Sequence, residues 1–268
     1  MLAVCATPIG NLEDVTLRVL RELAEADAVL CEDTRRTRVL LDRHGISANL
    51  VSFHRHNEAA RVADLLPRLV AGERLALVSD AGLPGVNDPG ARLIAAAIEA
   101  GVPVTVLPGP SAVATALVVS GFAADRYQFL GYLPRGDAAL RTLFGELRAW
   151  PHCAVAFESP QRLPAALRAL AEVDAERRVA VCRELTKLFE EVVRGPARDV
   201  AERFTTPPKG EITLVLGPIE VAAEPGDVVA ASEAVAELVA DGVPRRRAAE
   251  IVARVSGVPR NDLYRRSL

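Results

Sequence analysis

Lysine is nearly missing from this chain: of 32 basic residues only Lys187 and Lys209 are lysines, and the other thirty are arginines. Arginine therefore serves for ordinary exposed cations. The two lysines become candidates for places that need a compact ammonium of tunable pKa. Cysteine is scarce too. Cys5, Cys31, Cys153 and Cys182 lie in separate apolar runs that read as strands, with no spacing suited to a metal or a dithiol, so buried free thiols are expected. Four scattered histidines add no metal-ligand grouping. No apolar run is long enough for a membrane span; the alanines at 95–97 are broken by Glu99 and Gly101. The first residues carry no basic leader, which predicts a soluble cytoplasmic protein. Neither G-x-G-x-x-G after the first strand nor G-x-x-x-x-G-K-[ST] occurs, so the usual dinucleotide and P-loop signatures are excluded.

What is present is an ordinary globular composition, 50% apolar and 25% charged over 268 residues, with a net charge of -3. That charge is unevenly spread. From Gly242 to the end seven arginines face two acids, net +5, while residues 1–241 carry net -8. A basic tail on an acidic body suits a helix-turn-helix appendage that meets phosphate.

Short β-branched runs alternate with segments of helical period, which predicts an α/β protein with mainly parallel strands. Strands are expected over 2–6, 28–31, 50–53, 75–79, 102–107, 127–132, 153–157, 179–183 and 212–216. Helices are expected over 16–26, 34–43, 57–71, 89–100, 112–120, 138–149, 160–173 and 196–204. The period leaves 188–193 open between strand and helix. Three short helices, 232–240, 244–255 and 260–266, follow a linker at Glu224-Pro225-Gly226. The predicted domains are 1–115, 116–224 and 225–268.

Gly/Pro turns close three of the predicted strands: Thr7-Pro8-Ile9-Gly10-Asn11, Ser79-Asp80-Ala81-Gly82-Leu83-Pro84 running to Asn87-Asp88-Pro89-Gly90, and Leu107-Pro108-Gly109-Pro110-Ser111. In open α/β sheets that edge binds ligands. Glycine lets backbone approach a ligand and proline fixes the loop beforehand. Asp88 reads best as a helix cap ahead of Pro89-Gly90, and Asp33 or Thr34 as the cap of the helix that follows Glu32. If 53–56 is extended, His54 and His56 share a side.

These turns resemble the S-adenosylmethionine-binding loops of the tetrapyrrole methylase superfamily. Glu32-Asp33-Thr34-Arg35, His54-Arg55-His56-Asn57-Glu58, Phe157-Glu158-Ser159 with Arg162, Arg183-Glu184-Leu185-Thr186-Lys187, Lys209-Gly210-Glu211 and the tail 257–264 are similar to the 16S ribosomal RNA cytidine 2′-O-methyltransferase family within it. Arg55 departs from the acid that members often carry between the histidines. The resemblance implies two α/β domains of the tetrapyrrole methylase type with the cofactor cleft between them, a small helix-turn-helix-like C-terminal domain, and a homodimer. It implies a donor site formed by Pro8, Gly10, Asp80, Gly82, Leu83, Pro84, Pro108, Gly109, Pro110, Ser111 and Ala112, completed by Phe157, Gly210, Glu211 and Thr213.

Catalysis is expected from Lys187, neutral as a base or charged beside the forming alkoxide, with Glu32 as the other candidate base and Arg35 and Arg183 holding the nucleotide. Thr34, His56, Asn57, Glu58, Glu184, Arg245, Arg246, Arg247 and Arg260 are expected to meet RNA. The implied acceptor is a cytidine ribose of 16S rRNA within the 30S subunit. Two alternatives remain at this point: the same fold acting on a tetrapyrrole or protein side chain, and a non-catalytic nucleic-acid-binding regulator.

Overall fold

In the computed structural model, which describes residues 1–219 and 228–267, contacts divide the chain into two compact units, Met1–Pro218 and Ile219–Leu268. The expected linker at Glu224-Pro225-Gly226, and with it the 224/225 boundary, lies outside the described residues.

The larger unit contains two five-stranded sheets. In the first, β1 (Leu2–Cys5), β2 (Ala28–Cys31), β3 (Leu50–Ser52), β4 (Leu75–Leu77) and β5 (Val104–Leu107) run parallel in the order β3-β2-β4-β1-β5. The connecting helices are α1 (Leu17–Glu25), α2 (Thr34–Arg43), α3 (Glu58–Val70) and α4 (Ala91–Glu99). The inner strands β1, β2 and β4 are unbroken apolar runs because both their faces are covered, whereas the edge strands β3 and β5 carry Ser52 and Thr105 and are only partly buried. Leu2, Val4, Leu30 and Leu77 pack to one side, and Ala3, Cys5, Val29 and Cys31 to the other. All four cysteines are free and buried. Burial pushes the thiols of Cys5 and Cys182 up to about 12, which leaves them unreactive.

The expectation of mainly parallel strands holds for the first sheet, and the second sheet departs from it. It comprises β6 (Tyr127–Tyr132), β7 (Cys153–Glu158), β8 (Arg178–Arg183), β9 (Glu191–Pro196) and β10 (Ile212–Leu216), ordered β6-β7-β10-β8-β9. Only β6 and β7 are parallel; the other three pairings are antiparallel. The undecided stretch around 188–193 thus ends in a strand, β9. The β8–β9 turn hides from the sequence because its left-handed positions are held by Glu184 (φ 53°) and Thr186 (φ 66°), not by glycine or asparagine. Helices α6 (Asp137–Leu147), α7 (Leu163–Val173) and α8 (Ala197–Arg203) cover one face of this sheet.

Between the sheets in sequence stands α5 (Ala112–Ser120). Its residues Ala116 and Leu117 join Val155, Ala180, Cys182 and Val215 on the other face of the second sheet. Ile9, from the loop after β1, enters the same cluster. This shared core fastens the loops of the first sheet to the second. By itself, the smaller unit is a three-helix arrangement of α9 (Val228–Ala240), α10 (Arg245–Ser256) and α11 (Arg260–Arg266). It closes on Ala231, Val235, Ala248, Ala249, Val258 and Leu263. Gly257, left-handed at φ 73°, ends α10. Among the described residues no helix is long and apolar enough to cross a membrane.

Candidate active site

The loops after β1, β2, β4 and β5 meet at the C-terminal edge of the first sheet. Thr7 and Gly82 join the β1 and β4 loops through reciprocal backbone hydrogen bonds of 2.8 and 3.0 Å, and the Thr7 hydroxyl donates to the Ser79 carbonyl. Asp80 is fixed from the β2 loop. Its Oδ1 accepts from the Asp33 N–H at 3.0 Å, and its Oδ2 pairs with Arg36 at 3.3 Å. Pro84 is buried in this loop, and Leu83 packs against the core of the first sheet. Ser111 caps α5 by accepting from the Ala114 N–H.

A cavity of about 260 Å³ opens here. Pro8, Gly10, Arg36, Thr37, Asp80 and Ala81 line it from the first sheet's loops and α2, and Lys187 and Glu211 from the second sheet. Pro8, Gly10, Asp80, Glu211 and Lys187 of the expected site therefore come together. Phe157 lies elsewhere, edge-on to Phe129 and Tyr132 with centroids 5.0 and 5.7 Å apart, and Thr213 faces it in register. Pro108, Gly109 and Pro110 do not line the cavity.

Two glycines serve the protein's own packing, not ligand approach. A Cβ on Gly109 would come within 2.9 Å of the Ala6 side chain. One on Gly10 would come within 2.7 Å of the Leu185 carbonyl and within 2.6 Å of Thr186 and Lys187. Gly10 therefore lets the β8–β9 turn seat on the β1 loop, where the Asn11 N–H donates to the Thr186 hydroxyl.

That turn is a closed charge network. The Lys187 ammonium donates to Glu184 Oε1 at 2.9 Å and Glu211 Oε2 at 2.7 Å. Burial opposes its charge, but the two carboxylates prevail and raise its pKa above the ordinary lysine value. Of the two protonation states expected for Lys187, neutral or charged, this pairing favours the cation. Glu184 also receives the Glu211 N–H and occupies the space a Cβ on Gly210 would need. Arg183 is committed to Glu191 and to the Lys209 carbonyl.

Several expected RNA contacts turn out to be internal fastenings. The Glu58 carboxylate is buried and accepts from the N–H groups of Gly90 and Arg92, so it is the cap of α4. Asp88, expected to cap that helix, does not. Asn57 bridges the His54 N–H and the Ser52 carbonyl. Residues 54–57 form a turn, not the extended stretch that would align the histidines; His56 is exposed. Asp33 caps α2 and holds Arg35 in an outward ion pair, the arginine side chain 89% exposed. Thr34 merely begins the helix. Arg36 reaches the cavity instead of Arg35. One helical turn separates Arg36 from the cavity-lining Leu40, a spacing the sequence carries but that lacks meaning until the face is known.

Asp88, which does not line the cavity, has no hydrogen bond or ion pair among the described residues. Burial first, then the charges of Glu32 and Asp80, push its carboxyl up to about 6. Glu32 likewise has no hydrogen bond or ion pair among the described residues, and burial followed by Asp80 raises its pKa.

The comparisons with known proteins follow this geometry. The family described as Tetrapyrrole (Corrin/Porphyrin) Methylases matches residues 1–201, and the RsmI C-terminal HTH domain matches residues 226–268. "Ribosomal RNA small subunit methyltransferase I" of Mesorhizobium japonicum is 44% identical, the alignment covering 100% of this chain and 91% of that protein. The chain belongs to the ribosomal RNA small subunit methyltransferase I family. A member from Thermotoga maritima is also 44% identical, over 80% of this chain and 97% of its own length. Among solved structures, a diphthine synthase shares the fold at TM-score 0.63 and 16% identity, covering 81% of this chain and 89% of that one. A uroporphyrin-III-C-methyltransferase from Thermus thermophilus shares it at TM-score 0.57 and 23% identity, over 81% and 93%. The family's body is thus the tetrapyrrole methylase fold, and its tail is the helical domain.

In the tail, Arg246, Arg247 and Arg260 approach one carboxylate, Glu250, at 3.5–3.7 Å. Arg245 donates to the Ser267 carbonyl. Three cations on one acid leave an uncompensated positive surface.

Proposed function

We propose that this protein transfers a methyl group from S-adenosylmethionine to the ribose 2′-hydroxyl of a cytidine in 16S rRNA, within the 30S subunit. The observation that carries the reading is the convergence of the β1, β2 and β4 loops with the Lys187–Glu211 segment around one cavity. The names of full-length relatives support the acceptor, and the basic tail supports a phosphate-bearing partner. A tetrapyrrole acceptor would leave that tail without a role.

The residues fit such a donor: the backbone groups of the prebuilt loops and the polar side chains that line the cavity offer contacts to an adenosine and an amino-acid end. Pro8, Asp80, Gly82, Leu83, Pro84, Ser111 and Ala112 are the proposed surroundings. When bound, the donor supplies an electrophilic methyl on a sulfonium. Arg36 and Lys187 supply fixed positive charge at the cavity wall. Lys187 acts there as a cation beside the developing alkoxide, and Arg183 keeps the turn in place through Glu191. Arg246, Arg247 and Arg260 are the proposed phosphate contacts of the tail.

We also propose a cytoplasmic homodimer, supported by apolar side chains left in solvent on α5 and the edge strand β5, with Val118 83% and Val106 51% exposed. The test is transfer of labelled methyl to 30S subunits followed by nucleoside analysis. A 2′-O-methylcytidine product is expected. Label on a base, or no transfer with a well-folded protein, would overturn the reading.

A further inference from the structure

A ribose hydroxyl that enters a cavity walled by both sheets draws its nucleotide away from the neighbouring bases, and the base loses its stacking partners. We infer that the β8–β9 turn replaces them: Phe189 stacks on the base of the acceptor nucleotide, and Lys209 holds an adjoining phosphate of the same strand. This inference rests on the proposed 2′-O-methylation.

The turn spans residues 184–190, just beyond the paired Arg183 and Glu191 of β8 and β9. Its side chains divide three ways. Leu185 is buried in the core shared with α5 and Ile9. Lys187 lines the cavity. Leu188 and Phe189 stand in solvent, 89% and 69% exposed, and the Phe189 ring meets no other ring among the described residues. The Glu190 N–H donates to the Lys187 carbonyl at 3.1 Å, so 187–190 closes tightly with Leu188 and Phe189 at its apex. The Phe189 Cα therefore lies within roughly 7 Å of the Lys187 Cα, next to the cavity wall.

The apex is held stiff from both ends. Thr186 adopts a left-handed conformation that β-branched residues rarely take. Its N–H donates to the Glu190 carboxylate at 2.6 Å, and its hydroxyl receives the Asn11 N–H at 3.0 Å. A strained, closely fastened turn that keeps two large apolar side chains in water is unfavourable for the fold alone. Such strain collects where ligands are bound.

Charge points to the occupant. Of the four cations on or beside the turn, Arg183 and Arg203 pair with Glu191, and Lys187 pairs with Glu184 and Glu211. Lys209 differs. Its carbonyl receives Arg183, while its exposed ammonium has no hydrogen bond or ion pair among the described residues. An open aromatic face beside one uncommitted ammonium suits unpaired RNA, with the base on the ring and the phosphate on the cation. The apolar side chains assigned to the dimer, Val106 and Val118, are on β5 and α5 and not on this turn.

The test uses the full-length protein and 30S subunits, with wild type, Phe189→Ala, Phe189→Leu, Phe189→Tyr and Lys209→Ala. Single-turnover methyl transfer is measured against subunit concentration, donor affinity by calorimetry, oligomeric state by sedimentation and folding by melting temperature. Phe189→Ala and Phe189→Leu should lower the second-order rate about 10- to 100-fold. Phe189→Tyr should keep it within threefold, because the base needs an aromatic face and not only apolar bulk. Lys209→Ala should flatten the log–log salt dependence of subunit binding by about 0.7. Donor affinity, sedimentation and melting temperature should stay at wild-type values, since both side chains are in solvent. A Phe189→Ala rate within twofold of wild type, equal rates for Phe189→Leu and Phe189→Tyr, or a loss that tracks donor affinity would overturn the stacking assignment. A loss that tracks dissociation into monomers would overturn it too and give the turn to a second copy of the chain. An unchanged salt dependence in Lys209→Ala would overturn the phosphate contact. Failure of the parent reading is separately visible, because wild type itself would then put no label on a ribose.

Discussion

The β8–β9 turn and the loops of the first sheet treat charge in opposite ways. On the second-sheet side, Lys187, Glu184, Glu211, Arg183 and Glu191 are joined in pairs and triples, and the pKa values of Glu184 and Glu191 fall below the usual carboxylate range for that reason. In the loops of the first sheet, Glu32 and Asp88 have no hydrogen-bond or ion-pair partner among the described residues, and burial raises both. Paired charges fix the shape of a turn that lacks glycine at its left-handed positions. Unpaired ones hold free energy in reserve for a ligand or a proton.

The strongest way to break this contrast is to remove the fastening beneath the unpaired side. Glu58→Ala strips the acceptor from the buried Gly90 N–H and from Arg92 and leaves α4 uncapped, which should cost about 2–3 kcal/mol. Urea denaturation should show the lower midpoint, and activity should fall with it because the Asp88 loop loses its end.

Asp88→Asn should act with the opposite sign. A carboxyl raised in the folded protein binds its proton more tightly there than in the unfolded chain. Wild type therefore loses stability as pH climbs from the unfolded value through about 6. The variant should be more stable by about 1–2 kcal/mol at pH 7.5, a gain that fades toward pH 4. Equal denaturation midpoints at pH 7.5 would contradict the buried, unpaired state of this carboxylate.

Lys187→Met tests the paired side, and about 1 kcal/mol or less should be lost since the ammonium is 29% exposed. With its folded pKa raised, the wild-type lysine contributes fully below the unfolded value and loses that contribution as pH rises through the folded one. The gap between wild type and variant should accordingly hold through neutral pH and narrow only in strong alkali. Because the cation faces the cavity, the rate should fall more than the stability does.

Away from the cavity, Arg246→Ala with Arg247→Ala should leave donor binding unchanged. The salt dependence of RNA binding should flatten by about 1.4–1.8 in log–log slope if both arginines meet phosphate. Arg35→Ala marks the lower end of the scale. Its exposed ion pair with Asp33 should have no measurable effect on melting or on rate.

Much of the fold was legible. The parallel half could be read because each of its strands is a short apolar run closed by a Gly/Pro turn, and because Thr16 and Ser111 are ordinary helix caps. The antiparallel half was less legible, since β8 and β9 are joined through Glu184 and Thr186 in conformations those residue types rarely adopt. Of the residues that line the cavity, the sequence singled out Pro8, Gly10, Asp80, Lys187 and Glu211 but named Arg35 where Arg36 reaches it. Neighbouring residues on a helix or loop carry the same charge, and only the face they present separates the one that works in the site from the one that does not.

By itself the sequence determined where backbone turns back, which runs must be buried, where positive charge accumulates and which family the motifs match. Those properties follow from local sterics and from the cost of leaving apolar surface in water, and both are written residue by residue. The tertiary structure alone decided which polar groups find partners. A hydrogen bond such as Gly90 to Glu58 joins residues 32 positions apart, and the state of Asp88 depends on what burial withholds from it as much as on what lies near.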